Sequence, residues 1–388
     1  MTLPPQLHII TPEYSPDRGG VADYSALVAN GLREAGYSVH VWCPASRPRE
    51  DLKQEWVHRE PQGFGVRGLK RIGKSLNRFA KPRKLLVQWV PHGYGWRAMN
   101  VAFCFWVLMR ALRGDSIEIM LHEAFLAFRK DSWRQSFAAA VQRFMTVILL
   151  ASTRQVWISS PSWEAKIRPY CLKRNIRFTW LPVPSTIPVV ATADSVVEIR
   201  GRYAPGSELL LGHFGTYGRL TTDMLEEIVP AVLSGNQNCK LLLIGANSDS
   251  YRKTFASRFP ELASRVFATG EADAKSVSRS LMACDVLIQP YPEGVTARRT
   301  TCLAALAHGK PVVTTLGEMT EDFWQTTPQP LAFGGTCVEA VEVATRLLND
   351  QAELQNLGER AKKYYRENFA LEHVIQLLQF EISPANEC

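Results

Sequence analysis

The residues that invite chemistry lie in a few short loops. The first is Thr11-Pro-Glu-Tyr-Ser-Pro-Asp-Arg-Gly-Gly20, which runs directly into a helical pattern. Gly19 and Gly20 at that helix start would expose backbone N–H groups where the helix dipole adds partial positive charge. That combination suits a diphosphate or a developing anionic leaving group. A tight turn that simply needs glycine would look the same. His122 follows an apolar run, Ile117–Leu121. An imidazole at a strand end can donate a hydrogen bond to a hydroxyl or a phosphate, although a lone histidine there is often structural. Glu123 is either its partner or a solvated loop charge. His92 and Tyr94 sit on the neighbouring loop. In the second half, Arg219 ends a Gly-x-x-Gly-Arg loop, and Glu293-Gly294 opens a segment that reaches Arg298 and Arg299 just before a helical run. The two arginines are placed to meet phosphates, or else decorate a solvated helix turn.

These loops need strands to hold them. Leu7–Ile10, Ser38–Cys43, Leu85–Val90, Ile117–Leu121, Val156–Ser159 and Phe178–Leu181 read as short buried strands. Helical patterns separate them, most clearly Val21–Ala35, Trp96–Leu112 and Trp133–Ser152. Such alternation predicts a parallel sheet covered by helices on both faces. Pro182–Gly206 breaks the rhythm with Pro182, Pro184, Pro188 and Pro205, so the interdomain connection is expected there. A second alternation follows, with strands at Leu209–His213, Lys240–Ile244, Arg265–Ala268, Asp285–Gln289 and Pro311–Thr314. Its helices are expected at Asp223–Leu233, Lys275–Ala283, Ala297–His308, Cys337–Leu348 and Gln351–Asn368, with Leu371–Phe380 last. The expected organisation is an N-terminal Rossmann-like domain over residues 1–185, a linker over 186–206 and a C-terminal Rossmann-like domain over 207–365. Residues 366–388 are expected to pack back toward the first domain. The fold class is α/β, two doubly wound Rossmann-like domains facing each other across a cleft. Neither domain has a GxGxxG fingerprint, which disfavours a nicotinamide dehydrogenase. In open parallel sheets ligands bind beyond the carboxyl ends of the strands, where the loops above lie.

Composition sets further bounds. The 388-residue chain is 46% hydrophobic with a formal net charge of +8, which favours anionic partners. The eight cysteines are scattered without a CxxC pair or clustered histidines, as in reduced cytoplasmic proteins rather than disulfide frameworks or zinc sites. Residues 1–6 lack a basic-then-apolar leader, so no secretory signal is expected. The apolar stretches Ala98–Met109 and Phe137–Ala151 fall short of the roughly 20 residues a membrane span needs and read as buried helices. Arg67–Lys84 interleaves Leu69, Ile72, Leu76 and Phe79 with Arg67, Lys70, Arg71, Lys74, Arg78, Lys81, Arg83 and Lys84. This is compatible with a basic amphipathic helix on an anionic membrane surface, or with a solvated surface element. No nucleic-acid-binding module accompanies the charge, so nucleic acid is not expected as a partner.

Taken together, several motifs resemble one family. Glu-Tyr-Ser-Pro-x-x-Gly-Gly-Val-Ala-Asp-Tyr24 is similar to the opening of retaining glycosyltransferases of the GT-B fold, in the GT4-like group (glycosyl transferases group 1). The resemblance continues through Val87-Gln-Trp-Val-Pro-His92, Leu121-His-Glu-Ala124, Phe214-Gly-Thr-Tyr-Gly-Arg219 and Thr269-Gly270. It ends in Ala283–Tyr291, Glu293-Gly294 and Ala304–Val313. It implies a nucleotide-sugar donor (UDP-, GDP- or ADP-sugar), a glycan, glycolipid or lipid-linked acceptor, and no separate cofactor. It also implies that the first domain takes the acceptor and the second the nucleotide sugar, that His122 contacts the donor sugar, that Arg219 clamps the diphosphate and that Glu293 with Gly294 meets the donor. His92, Tyr94 and Glu123, by their loop positions, are expected on the acceptor side. Two features depart from the family pattern. The lysine usual after the arginine is replaced by Thr221-Thr-Asp223, and the second of two glutamates eight positions apart is absent, whether Thr301 or Ala304 occupies its place. Arg298 and Arg299 are the expected substitutes for the lysine. No Asp-x-Asp stands at a strand end, so metal-independent chemistry is expected, with domain closure about Pro182–Gly206 excluding water. The rival readings are a nucleotide-sugar epimerase or a glycogen-phosphorylase-like enzyme on the same fold, or a binding protein without turnover. No lysine of the second domain has a distinctive context for pyridoxal phosphate.

Overall fold

The computed structural model describes residues 6–17, 19–45, 54–95, 98–172 and 175–382. The chain divides into two compact units, one formed by Met1–Val183 with Leu371–Cys388 and the other by Pro184–Ala370.

The first unit carries strands β1 (Gln6–Ile10), β2 (Ser38–Pro44), β3 (Val57–Glu60), β4 (Lys84–Trp89), β5 (Ser116–Leu121), β6 (Gln155–Ile158) and β7 (Arg177–Trp180). They form one parallel sheet in the order β3-β2-β1-β4-β5-β6-β7. Because side chains alternate along a strand, the sheet feeds two separate cores. Leu85 and Val87 of β4 and Ile117 and Ile119 of β5 point to one face, where α2 (Val66–Leu76), α3 (Val101–Leu112) and α4 (Trp133–Ser152) cover them. Leu86 and Met120 point to the other face, under α1 (Gly20–Glu34) and the last helix of the chain. The short α5 (Ser162–Ile167) follows β6.

The second unit begins with a helix where irregular chain was expected. α6 (Ala193–Tyr203) occupies the predicted linker, started by a capping box in which Thr192 and Ser195 satisfy each other's backbone N–H groups. Arg200 ties it to the sheet through Asp285 (2.9 Å) and the Glu208 carbonyl. The proline count hid a helix whose start is set by side-chain capping. The elements that follow are β8 (Leu209–Phe214), α7 (Arg219–Gly235), β9 (Cys239–Ile244), α8 (Ser248–Arg258), β10 (Val266–Ala268), α9 (Ala274–Ala283) and β11 (Val286–Gln289). Then come α10 (Thr300–Ala307), β12 (Val312–Thr315), β13 (Ala332–Gly334), α11 (Cys337–Leu348) and α12 (Gln351–Asn368). Its parallel sheet runs β10-β9-β8-β11-β12-β13. The final helix α13 (Leu371–Ile382) belongs to the first unit, where Val374, Ile375 and Leu378 complete the core beneath α1.

Three expectations about helices change. Leu69, Ile72 and Leu76 of α2 are buried in the core, and Phe79 packs against it. The apolar half of the basic segment is therefore spent on the fold, and the cations of α2 face solvent, while Arg83 is buried against Asp115. The long apolar helices α3 and α4 are not wholly buried, since each leaves large apolar side chains exposed. α3 starts at Val101, capped by the Asn100 side chain on the Phe103 N–H, and the expected start at Trp96 lies outside the described residues. Among the described residues no helix is long and apolar enough to cross a membrane, and the described cysteines are unpaired.

Candidate functional site

In each sheet the strand order reverses once, between β1 and β4 in the first unit and between β8 and β11 in the second. Such switch points leave a crevice at the carboxyl ends of the strands, and most of the candidate residues stand there.

In the first unit, β1 hands over to the loop that ends at α1. Gly20 is the first helical residue and Gly19 its N-cap, with no side-chain cap on the helix. A Cβ at Gly19 would run into the carboxylate of Glu13, whose Oε1 accepts a hydrogen bond from the Ala22 N–H at 3.2 Å. An internal carboxylate thus stands where an anionic ligand was expected. A Cβ at Gly20 would meet open space, so packing does not require glycine there. Burial and then the nearby Glu13 charge push the Asp23 carboxyl above its usual range.

His122 begins the loop after β5. Its backbone N–H extends the ladder to the Trp89 carbonyl (2.9 Å), and its Nε2 donates to Gln88 Oε1 at 2.8 Å. The ring meets Tyr24 edge-on at 4.9 Å between centroids. The Tyr24 hydroxyl and Gln88 Nε2 are buried and have no hydrogen-bond partner among the described residues. Sequence reasoning missed Gln88, although it stands within the motif Val87–His92. His92 and Glu123 come together, Nδ1 to Oε2 at 3.4 Å, both largely exposed. Tyr94 must be corrected. It is fully buried, stacked on Phe103 at 4.2 Å, and its hydroxyl donates to the Gln88 and Ile10 carbonyls. It is a core residue that joins β1 to β4, and it has no face left for an acceptor.

In the second unit, Arg219 is the first residue of α7, after Tyr217 in left-handed backbone (φ 59°) and the Gly218 N-cap. Its side chain is 92% exposed, with Asp223 at 3.8 Å. Together with Tyr217, Asp223, Asn247 and Tyr251 it lines a cavity of about 500 Å³. Behind it, His213 is buried with Nδ1 against the Ile288 carbonyl, and burial holds it at about 4. Gln289 at the end of β11 donates through Nε2 to the Phe214 carbonyl at the end of β8, while its buried Oε1 has no partner among the described residues.

The loop after β11 is braced from two sides. Gly294 has φ +85°, and a Cβ there would collide with the Gly317 backbone and the Thr320 hydroxyl, so only glycine fits. Glu321, which sequence reasoning did not single out, is buried and accepts the Ala297 N–H (3.1 Å) and Trp324 Nε1 (3.0 Å). Nothing in the spacing of the sequence signals that contact, because Glu321 lies beyond the next strand. Arg299 is the N-cap residue of α10. It bonds Glu293 at 3.0 Å and stacks over the Tyr291 ring at 4.7 Å. Arg299, expected to meet phosphates with Arg298, is thus engaged by the Glu293 carboxylate. Arg298 is half-buried on the same loop. Thr301 and Ala304, the two places for a second glutamate, are respectively bonded to the Tyr291 hydroxyl and fully buried. Among the described residues no cluster of His, Cys, Asp or Glu is placed to hold a metal ion.

Residues 209–350 match the family described as Glycosyl transferases group 1. That span contains both the loop before α7 and the braced loop after β11. No curated protein sequence matches the chain. Among solved structures, the chain is similar to sucrose-phosphate synthase from Thermosynechococcus elongatus (TM-score 0.68, 16% identity, 97% of this chain and 98% of that one). It is also similar to HepE from Anabaena in complex with UDP and glucose (TM-score 0.66, 13%, 97% and 99%). A third is WaaG, a glycosyltransferase involved in lipopolysaccharide biosynthesis (TM-score 0.63, 16%, 98% and 100%). Residues 209–350 thus match the glycosyl transferases group 1, and over nearly its whole length the chain shares the two-domain GT-B fold of these solved structures.

Proposed function

We propose that the enzyme moves a sugar from a UDP-, GDP- or ADP-sugar to a hydroxyl of a glycan, glycolipid or lipid-linked acceptor, with retention of configuration and without an obligatory metal. The observation that carries this reading is that the match over residues 209–350 contains two loops at one switch point, each bringing arginine to a helix start, Arg219 at α7 and Arg298–Arg299 at α10. The described complex of HepE with UDP and glucose supports a nucleotide-sugar donor. The role printed for WaaG favours a glycolipid acceptor.

The difficult event is departure of the diphosphate. The bond between the anomeric carbon and the diphosphate oxygen breaks, the acceptor oxygen bonds to that carbon from the same face, and its proton passes to a donor phosphate oxygen. Charge on the leaving group dominates the barrier, so fixed donors aimed at it dominate the catalysis. In this reading Arg219 and Arg298 meet the diphosphate, and Gly19 and Gly20 offer backbone N–H groups. Arg299 holds Glu293 toward the donor sugar beside Gly294, and His122, fixed by Gln88, hydrogen-bonds a sugar hydroxyl or the phosphate. His92 and Glu123 serve the acceptor side. The unpaired cysteines among the described residues fit a reducing compartment, so we place the enzyme in the cytoplasm, with the exposed cations of Arg67–Lys84 turned toward the inner face of the membrane.

A thermal-shift panel of UDP, GDP, ADP, CMP and their sugar conjugates tests the reading. A ligand at one hundred times its dissociation constant adds about 2.7 kcal/mol. One nucleoside diphosphate and its sugars are expected to raise the midpoint selectively. Arg298→Ala is expected to weaken the diphosphate roughly tenfold or more and leave the nucleoside unchanged. Silence across the panel from folded protein overturns the donor assignment, and equal weakening of nucleoside and diphosphate overturns the clamp.

A further inference from the structure

The outer surface of α2, α3 and α4 combines two unusual properties. It is apolar where helices normally meet water. On α4, Trp133 (74% exposed), Phe137 (58%) and Phe144 recur at helical spacing, and on α3 so do Phe105, Met109 and Leu112 (71%). The two stripes meet where the Phe105 and Phe144 rings stand 6.4 Å apart. The loop before α4 adds Leu126 and Phe128, the latter stacked on the Arg143 guanidinium at 4.0 Å. Isolated exposed apolar residues are ordinary, whereas a continuous patch of aromatic and aliphatic side chains marks a contact surface.

The second property is charge. No Asp or Glu occurs on any of the three helices, nor anywhere between Glu60 and Asp115. α2, packed beside α3 through Gly73 and Trp106, turns Arg67, Lys70, Arg71 and Lys74 outward. Arg113 ends α3, and Arg134 lies over Trp133 on α4. The carboxylates closest in the chain are already neutralised, Glu60 by Arg71 and Asp131 by Arg129, while Asp115 is buried with Arg83 and Arg110. The opposite face of the same sheet is ordinary, with Asp23 and Glu34 on α1 and Glu372 on α13.

We propose that this face docks on an anionic lipid bilayer, with the α3–α4 stripes entering the headgroup–acyl boundary and the α2 cations meeting lipid phosphates. The chemistry selects this occupant. Trp and Phe prefer the interface between water and hydrocarbon, and clustered Lys and Arg add attraction to anionic headgroups. A second copy of the chain would bring the same cations and no carboxylate to meet them. The proposal extends the membrane-facing part of the proposed function and does not depend on the donor, because nucleotide-induced thermal shifts persist whether or not vesicles bind.

The test is sedimentation of the full chain with vesicles of phosphatidylcholine alone, and with equal parts of phosphatidylcholine and phosphatidylglycerol. Wild type is expected to sediment with the anionic vesicles, less so as salt rises from about 0.1 to 0.5 M, and to stay in solution with neutral ones. Trp133→Ser with Phe137→Ser and Leu112→Ser is expected to lower partitioning roughly tenfold or more. Trp133→Ser alone, at the most exposed site, gives a smaller loss and guards against misfolding of the triple variant. Wild type left in the supernatant, or a folded triple variant that sediments like wild type, overturns the proposal. So does an oligomer of the free protein that the triple variant abolishes while vesicle binding is absent, which would assign the face to a second copy.

Discussion

Glu13 reaches across its loop to accept the Ala22 N–H at 3.2 Å, and so it stands on the first turn of α1 beside Gly19. The helix carries no other side-chain cap. A carboxylate there is favoured by the helix dipole, and it occupies the position that the proposed reaction would give to a diphosphate.

The two anions cannot share that turn. Glu13→Gln is therefore expected to tighten nucleoside diphosphate binding severalfold, while costing about 0.3–1 kcal/mol of stability from the lost charge–dipole interaction. Calorimetric titration and a melting curve on the same variant read both effects. Weaker diphosphate binding would mean that Glu13 holds the ligand in place and does not compete with it.

Glu321 acts at a distance from the reacting groups. Its carboxylate accepts the Ala297 N–H and Trp324 Nε1, and so ties the segment carrying Glu293, Arg298 and Arg299 to the chain beyond β12. Glu321→Ala is expected to cost about 1–3 kcal/mol by leaving buried donors unpaired. It should also lower kcat/KM roughly tenfold, because the loop loses its fixed geometry. Glu321→Gln, which keeps an acceptor, should recover much of the kcat/KM. Wild-type kcat/KM in a folded Glu321→Ala would show that the brace is unnecessary.

Buried histidines make the fold sensitive to acid. Burial, reinforced by His40, His58, Arg83 and Arg110, holds His8 at about 3, and burial holds His213 at about 4 despite the Ile288 carbonyl. Both are neutral in the folded state, whereas the unfolded chain protonates near 6.5. Their contribution is complete above about 6.5 and is lost as pH falls from there toward the folded values. Between pH 7 and 5 each costs roughly 2 kcal/mol, so the melting midpoint is expected to drop by several degrees. A midpoint unchanged over that range would rule this account out.

The sequence by itself determined the strand–helix alternation and the loops that carry Gly19–Gly20, His122, Arg219 and Glu293. Those signals are local. A strand of buried residues and a helix with an apolar face declare themselves within a few residues of chain, and parallel pairing then places the following loop at the strand's carboxyl end. Contacts between distant segments were decided only by the tertiary structure. Tyr94 reads as a loop tyrosine until β1 and β4 pair and their carbonyls capture its hydroxyl. Leu69, Ile72 and Leu76 read as the apolar side of a membrane-facing or solvated surface helix until the sheet offers them a core. Phe105 and Phe137 read as core until the helices, packed on that same sheet, leave them outside. An apolar face on a helix records only that something must cover it. Which surface does so depends on how the other elements fill the sheet, and no window of sequence contains that information.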